Sequence, residues 1–441
     1  MRRAFAGLAL ALALAGALLY GFAAHARRWF PYRPVEALSR AIRSHSAAEV
    51  QSPPSATGSR LAERDAVAKL SQLPYLQGYH PAGSRKGVTV YDPDRASNGW
   101  NLCLSAHAAE AQLLDMRGVL HHRWAFEASR IWKNLETSPA RFEHDDYWSR
   151  ALLLPEGDLL VVWEYIGMAR IDRGSRLKWA LRNAANHDLA VDGAGRIYTL
   201  TRQIGVLPEI NEEEPVFEDF VTILSPEGQI LRRISLLRAF ERSDYAAELA
   251  FMKDRGDILH ANAVQVLDGR LAAGNPAFRE GNLLVSIHSL GIVAVLDLRA
   301  EKIVWALSGQ WRAQHTPRLL DTGLILMFDN LGRMRVDRSR VLEVDPRTQE
   351  IVWRYGDREK ERIFSGSHGT AERLSNGNTL IVESNSGRAI EVTPAGDTVW
   401  EYLNPYRAGE KKDLVATLLQ VARLDPALAA GWAERPANAE P

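Results

Sequence analysis

The chain has 441 residues, of which 46% are hydrophobic and 24% are charged, and its 54 basic residues balance 54 acidic ones. This is the composition of a globular protein that is long enough for a large core or for more than one domain. Zero net charge argues against nucleic acid or an anionic membrane surface as a main partner. The single cysteine, Cys103, excludes an intramolecular disulfide, and we expect it to be a buried, unreactive thiol.

Residues 1–28 have the features of an export segment. An uncharged run over residues 4–24 lies between arginines on both sides. About 20 apolar residues suffice to cross a bilayer, and Ala24-His25-Ala26 also resembles a signal-peptidase site. We therefore expect an exported protein with an uncleaved signal anchor, and a cleaved signal peptide is the alternative. Residues 29–87 are predicted to form a linker or N-terminal extension, which includes the stretch SPPSATGS at 52–59.

A strand–turn–strand pattern recurs between residues 88 and 405. Asp, Pro or Gly separates the two β-rich runs, as is typical of hairpins, and the second run ends in tryptophan. These hairpins end at Trp124, Trp179, Trp305, Trp353 and Trp400, and residues 222–233 fit the same frame with arginine in place of tryptophan. A second strand pair, of the form L-x-x-G-x-L-L, precedes each hairpin. Each repeat therefore contains four strands.

Six four-stranded repeats predict an all-β fold, a six-bladed β-propeller over residues 88–405. A β-solenoid is the alternative, but its rungs are much shorter than these repeats. The insertion at 235–257 has apolar residues at helical spacing and is predicted to be a helix lying over one face. The tail, 406–441, is predicted to contain a helix with Leu414, Leu418 and Val421 on one side.

Four histidines occupy equivalent places in four repeats. His187 and His315 lie eight residues before the glycine of the first hairpin, and His260 and His368 lie nine residues before it. His144 misses this register, at thirteen residues. Because the innermost strands of all blades surround the propeller axis, the four histidines should converge at one mouth of the central channel.

The register favours a site over four separate structural roles. A single histidine at this position is explained equally well as a functional residue or as a polar residue that joins adjacent blades. Four in register are better explained as a site, since other polar residues accompany them, namely Asp188, Asn262, Gln314 and Ser367.

Several imidazoles in a channel mouth suit three kinds of chemistry. They can bind a transition metal, bind an anion when protonated, or supply a nucleophile whose neighbours stabilise the developing charge. The sequence has no H-E-x-x-H, no C-x-x-C, and no phosphate- or dinucleotide-binding glycine loop. We expect no metal and no cofactor, although ligands on separate blades would need no local motif.

At these residues the chain resembles the bacterial arylsulfotransferases, which move a sulfuryl group from one phenol to another without a nucleotide donor. The resemblance rests on NHDLAVD, DILHANAV, SIHSLGIVAVLD, QHTPRLLDTGLILMFDN, SRVLEVDP and GNTLIVESNSGRAIEVTPAGDTVWEYLNP. The H-x-N of His260 to Asn262 and the Q-H followed by F-D-N within 314–330 are the most specific. The resemblance implies a six-bladed periplasmic propeller with its active site at the channel centre.

The resemblance also implies roles for individual residues. His315 would be the nucleophile and would carry the sulfuryl group as a transient sulfohistidine. His187 and His260 would also be catalytic and, with Asn262, would surround the sulfuryl oxygens or shuttle the phenolic proton. We expect the rest of the substrate site to be formed by His288, His368, Gln314 and Asp188.

The chain departs from the family pattern at two points. The family has an arginine in S-x-R-x-x-N, where this chain has the hexapeptide from Ser286 to Gly291, so His288 would replace a permanent cation with a titratable one. The family's disulfide is also absent. The expected partners are an aryl sulfate, a phenol and the inner membrane, and a homodimer is left open. Two alternatives remain: a non-catalytic, membrane-tethered propeller and a metal-binding propeller.

Overall fold

Six antiparallel sheets form the blades of a β-propeller in the computed structural model, which describes residues 80–132, 147–330, 338–409 and 411–429. The strands of each blade are given from the axis outward, and those of blade 1 are Leu418–Leu424, Trp100–Ser105, Glu110–Leu114 and Leu120–Ala125. Blade 2 consists of Arg150–Leu153, Leu159–Trp163, Gly167–Ile171 and Leu177–Leu181. Blade 3 consists of Ala185–Val191, Ile197–Gly205, Val216–Leu224 and Ile230–Ser235. Blade 4 consists of Ala261–Val266, Leu283–Ile287, Ile292–Asp297 and Lys302–Ser308. Blade 5 consists of His315–Leu319, Ile325–Asp329, Arg340–Val344 and Ile351–Tyr355. Blade 6 consists of Thr370–Arg373, Thr379–Glu383, Arg388–Val392 and Thr398–Leu403, and it has a fifth, outermost strand, Gly87–Tyr91. The predicted six-bladed, all-β architecture is confirmed.

Helices in the described part of the chain are short. The insertion predicted to be one helix contains an α-helix, Leu236–Glu241, and a 3-10 helix, Ala246–Phe251. The other 3-10 helices are Ala128–Arg130, Pro276–Phe278, His288–Leu290, Glu359–Glu361 and Pro426–Ala429. Two small strand pairs complete the structure: Gly256–Asp257 beside Val216–Leu224, and Arg407–Ala408 beside Leu414–Val415.

The tryptophans that end the hairpins connect neighbouring blades. Each lies on the outermost regular strand of its blade, and four of them donate the indole N–H to a carbonyl in a turn of the next blade. Trp124 donates to Gly157 (3.3 Å), Trp179 to Pro226 (3.0 Å), Trp353 to Pro394 (3.0 Å) and Trp400 to Met116 (2.9 Å). For Trp179, Trp353 and Trp400 the acceptor lies in the turn between the third and fourth strands of the next blade, and for Trp124 it lies in the turn between the first and second strands. An indole N–H usually finds a hydrogen-bond partner when the ring packs against a neighbour.

The tail prediction was wrong. Leu418–Leu424 is a strand and not a helix, and it forms the innermost strand of blade 1 by pairing with Trp100–Ser105. The propeller therefore extends to Leu424 and not only to residue 405. Five of the seven residues of this strand are buried, on both of its faces, so the helical spacing of Leu414, Leu418 and Val421 does not distinguish it from a helix.

The predicted N-terminal membrane anchor and residues 29–79 of the extension lie outside the described residues and stay predictions. No helix in the described ranges is both long enough and apolar enough to cross a bilayer.

Candidate active site

Five imidazoles form a closed ring at one end of the propeller channel. His187, His260, His315 and His368 lie at or near the beginning of the inner strands of blades 3 to 6, as the repeat register predicts. The fifth is His288, at the end of the second strand of blade 4. Centroid distances around the ring are 4.8 Å for His187–His260, 4.5 Å for His260–His288, 5.2 Å for His288–His315, 5.7 Å for His315–His368 and 6.4 Å for His368–His187.

The order around the ring places His315 opposite two other histidines. Its neighbours are His288 and His368, so His187 and His260 lie across the ring from it. A group held between the two sides can therefore be attacked from one side and released toward the other.

Irregular backbone positions these side chains. The inner strands of blades 3, 4 and 5 all have a register shift where the histidines occur. His187 and His260 have positive φ angles, 51° and 52°, which are uncommon for residues other than glycine. Bulges redirect side chains, and strained backbone clusters at functional sites. The strain therefore supports a functional role for the ring.

His315 is held in a single tautomer. The Asn330 side-chain N–H donates to the carbonyls of Ser365 (2.7 Å) and His368 (2.8 Å), so its oxygen must face His315. His315 Nδ1 lies 2.7 Å from that oxygen and 3.1 Å from the carbonyl of Ala313, and both groups only accept hydrogen bonds. Nδ1 therefore carries the proton, and Nε2 presents a lone pair.

His260 belongs to a chain of charged groups. Its Nδ1 makes a short hydrogen bond to Asp257, and Arg202 bridges Asp257 (3.0 Å) and Asp219 (2.7 Å). Although burial opposes ionisation, Arg202 and then His260 hold the pKa of Asp257 below its usual range. An ionised Asp257 only accepts hydrogen bonds, so it fixes a proton on Nδ1 of His260.

His187 is paired with a second buried carboxyl group. Its Nδ1 lies 3.1 Å from Glu164 Oε1. Burial raises the pKa of Glu164, despite the nearby Arg202, and burial together with His260 and Arg202 lowers the pKa of His187. Both shifts favour the neutral forms.

Burial keeps the other ring histidines neutral as well. It lowers the pKa of His315 to about 4, although the hydrogen bond to Asn330 acts in the opposite direction. Burial, with His315 and His260, lowers the pKa of His368 to about 3. Burial, with His260 and His315, also lowers the pKa of His288 well below its usual value. Near pH 7, therefore, these imidazoles provide lone pairs and N–H donors rather than charge.

The ring contains polar atoms that no described residue satisfies. Nε2 of His187, His315 and His368 and Oδ1 of Asn262 are buried without a hydrogen-bond partner among the described residues. Buried polar atoms are nearly always paired. A concentration of unpaired ones therefore indicates the binding place of a polar group.

Two predicted substrate-binding residues have other contacts. Gln314 is buried, and its side-chain N–H groups donate to Ser286 and to two carbonyls of blade 4, so it joins blades 4 and 5. Asp188 accepts hydrogen bonds from Arg318 and from the Val264 N–H. Asn262 remains beside the ring, with its side-chain N–H donating to the Gln314 carbonyl (2.8 Å).

Sequence reasoning missed the groups that orient the imidazoles. Asn330 lies within F-D-N, but the motif alone predicts no role for it, and no motif predicts a role for Glu164, Arg202 or Asp257. Asp257 had a weak local signal, three residues before His260. Glu164 and Arg202 had none, since tertiary contacts bring them to the ring.

The fold and the site define a propeller with a histidine-rich centre suited to group transfer. Residues 150–405, more than half of the chain, match the family described as Arylsulfotransferase (ASST), and the protein belongs to that family. No curated protein sequence matches the chain.

Solved structures of similar fold include a protein of unknown function from Bacteroides caccae, with 12% identity, a TM-score of 0.43, and 73% of this chain and 97% of that chain covered. A streptogramin B lyase has 11% identity, a TM-score of 0.40, and coverage of 74% and 85%. Virginiamycin B lyase from Staphylococcus aureus has 9% identity, a TM-score of 0.35, and coverage of 58% and 69%. Similarity at this level carries no information on activity.

Proposed function

We propose that the protein transfers a sulfuryl group from an aryl sulfate to a phenol through a sulfohistidine at His315. The observation that carries the proposal is the arrangement across the ring: an unpaired Nε2 lone pair on one side and His187 and His260 on the other. Such an arrangement suits in-line displacement, in which nucleophile and leaving group lie on opposite sides of the sulfur.

In the first half-reaction, His315 Nε2 forms a bond to sulfur while the bond from sulfur to the aryl oxygen breaks. The protonated form of His260 gives a proton to the departing phenolate, while its Nδ1–H stays hydrogen-bonded to Asp257. In the second half-reaction, the acceptor phenol returns a proton to His260, its oxygen attacks sulfur, and His315 leaves as a neutral imidazole. Atoms and charge balance over the cycle, and no cofactor is required.

The neutral state of His315 supports its role as nucleophile. With a pKa of about 4, it is unprotonated at neutral pH, and Asn330 assigns its lone pair to Nε2. The unpaired nitrogens of His187 and His368 can contact the sulfuryl oxygens when they carry the ring proton, with His288 in the place of the family's arginine, whereas the unpaired Asn262 oxygen can only accept a hydrogen bond. Neutral N–H donors aimed at developing charge are worth more in a buried site than in water.

The test is to incubate the protein with 4-nitrophenyl sulfate in the absence of acceptor and to measure mass by peptide. We expect one acid-labile SO3 group on the peptide containing His315. The modification should be absent in His315→Ala, slower in His187→Ala, and unchanged in His80→Ala, a histidine outside the ring. Modification at another residue, or none with any of several donors, would reject the proposal.

A metal-binding function is the second candidate. One ligand atom from each of Glu164, His187 and His368 lies within 4.8 Å of the others, and imidazole with carboxylate suits zinc. If sulfuryl transfer is the function, purified protein should contain no stoichiometric metal and should react in the presence of a chelator. Stoichiometric zinc that is lost in His368→Ala would favour the second candidate.

A further inference from the structure

The propeller channel contains a second, chemically different chamber, which begins beside the histidine ring and extends along the inner strands to their far ends. A cavity of about 550 Å³ is lined by the inner strands of all six blades, up to their last residues, such as Leu153, Val191, Val266 and Leu424. None of the five ring histidines lines this cavity, although it reaches Thr316, the neighbour of His315. The volume is within the usual range for small-molecule sites.

Two arginines of this chamber converge on one carboxylate. Arg150 lies 3.0 Å and Arg318 2.7 Å from the oxygens of Asp188, which is 1% exposed. A guanidinium has five N–H donors. Arg318 also donates to the Pro317 carbonyl (3.1 Å), and within the described residues most donors of both arginines still have no partner. Their side chains remain partly exposed, by 18% and 25%, so a ligand in the chamber can contact them.

Glu372 lies in the same chamber without an ion-pair partner among the described residues. It lines the cavity from the inner strand of blade 6 and accepts a hydrogen bond only from the Arg423 backbone N–H, at 3.3 Å. Burial raises the pKa of Glu372 to about 7, although Arg423, Arg150 and Arg318 act in the opposite direction. The Arg423 guanidinium itself is paired with Glu391 (2.9 Å).

The charges of the chamber do not cancel when Glu372 is protonated. The charged groups that face Glu372 are Arg150, Arg318, Asp188 and Arg423, and Arg373 beside it is paired with Glu343. Two guanidinium groups then share a single carboxylate, Asp188, and the chamber has one excess positive charge. Ionisation of Glu372 removes this excess.

We propose that the chamber binds a small monovalent oxyanion, a carboxylate or a sulfate ester, between Arg150 and Arg318. The planar donor groups of two arginines match the two oxygens of such a ligand. Protonated Glu372 completes the site as a neutral hydrogen-bond donor. The site is separate from the imidazole ring and does not depend on sulfuryl transfer.

The proposal implies that binding takes up a proton at Glu372. As pH rises through about 7, Glu372 becomes a carboxylate that repels the ligand. A like charge at this range shifts an equilibrium by about tenfold or more. We therefore expect affinity to fall about tenfold between pH 6 and pH 8.

The experiment is calorimetric titration of the full chain with sodium benzoate and, separately, with methyl sulfate, at pH 6 and pH 8. Binding of one or both at pH 6 is expected, and the stronger of the two identifies the ligand class. Arg318→Gln and Arg150→Gln should each weaken binding about tenfold, as expected for a charge-assisted hydrogen bond. Glu372→Gln should retain binding and abolish its pH dependence.

His315→Ala separates this chamber from the transfer site, because it should bind benzoate, which carries no sulfuryl group, as the wild type does. Loss of binding in His315→Ala would overturn the proposal, as would binding that is indifferent to both arginine variants. Absence of binding by either anion at pH 6 would overturn it as well. If an arginine variant fails to fold, the pH dependence of Glu372→Gln remains decisive.

Discussion

The side-chain oxygen of Asn330 accepts a hydrogen bond from His315 Nδ1 at 2.7 Å, and this contact decides which nitrogen of His315 can react. Asn330 is itself oriented by the carbonyls of Ser365 and His368, so the arrangement has one solution. Because Asn330 and the two carbonyls that orient it fix the tautomer of His315, the imidazole requires no reorganisation before it attacks the sulfur.

Replacing Asn330 should impair the nucleophile in two distinguishable ways. Asn330→Ala removes the acceptor, and we expect formation of sulfohistidine to slow by about 10²-fold at all pH values, as is typical when the group that orients a catalytic histidine is lost. Asn330→Asp keeps an acceptor but adds a negative charge, which raises the pKa of His315. Its rate should therefore fall mainly at low pH. Single-turnover rates from pH 4 to pH 8 test both, with Asn376→Ala as an exposed control.

Asp257→Asn should weaken His260 as the acid that protonates the leaving phenolate. A poor leaving group needs this proton more than a good one, so phenyl sulfate should lose about 10²-fold in rate and 4-nitrophenyl sulfate much less, given that general acid catalysis contributes 10²–10⁴-fold. Stopped-flow rates for a series of substituted phenyl sulfates would measure the difference. An equal loss for all leaving groups would contradict the role assigned to His260.

The buried neutral histidines should make the fold sensitive to acid. His368 has a pKa of about 3 in the folded protein and about 6.5 in an unfolded chain, so between these values only the unfolded state binds the proton. The free energy of unfolding is unaffected by this residue above pH 6.5 and falls as pH decreases below it. At pH 5 the loss amounts to about 2 kcal/mol for one such histidine.

Urea unfolding of the wild type and of His368→Gln at pH 7 and pH 5 tests this expectation. The drop in free energy from pH 7 to pH 5 should be smaller in the variant by about 2 kcal/mol. The measurement at pH 7 reports the packing cost of the substitution separately. An equal drop in the free energy of unfolding in both proteins would show that His368 is already protonated in the folded state at pH 5.

Removing the closing strand should abolish the fold. A chain that ends at Ala416 lacks Leu418–Leu424, which leaves the strand Trp100–Ser105 unpaired on its inner edge and removes the buried Leu418, Leu419 and Val421. We expect loss of cooperative thermal unfolding by circular dichroism. A chain that ends at residue 429 is the matched control and should unfold as the full chain does. A cooperative transition in the shorter chain would contradict the role of this strand.

The repeat in the sequence was sufficient to predict the blades and four of the five ring histidines. Equivalent positions of a repeat occupy equivalent places around an axis, so the shared register of His187, His260, His315 and His368 predicts convergence without any knowledge of contacts. The recurring tryptophans similarly predict the outer strands. Local alternation and turn residues determine such features.

The closing strand and the groups that orient the imidazoles were decided only by the tertiary structure. The tail became a strand because closing the ring supplies it with a partner, and the helical spacing of its apolar residues does not reveal that both faces of the strand are buried. His288 joins the ring from a second strand, outside the register of the other four, so the repeat does not predict it and only the family resemblance placed it in the substrate site. Asn330, Glu164 and Asp257 orient the imidazoles through contacts between segments, and the pKa of each histidine depends on its burial. Burial and hydrogen-bond partners exist only after the blades have assembled, which is why the sequence can indicate where the histidines meet but not which nitrogen of each is free to react.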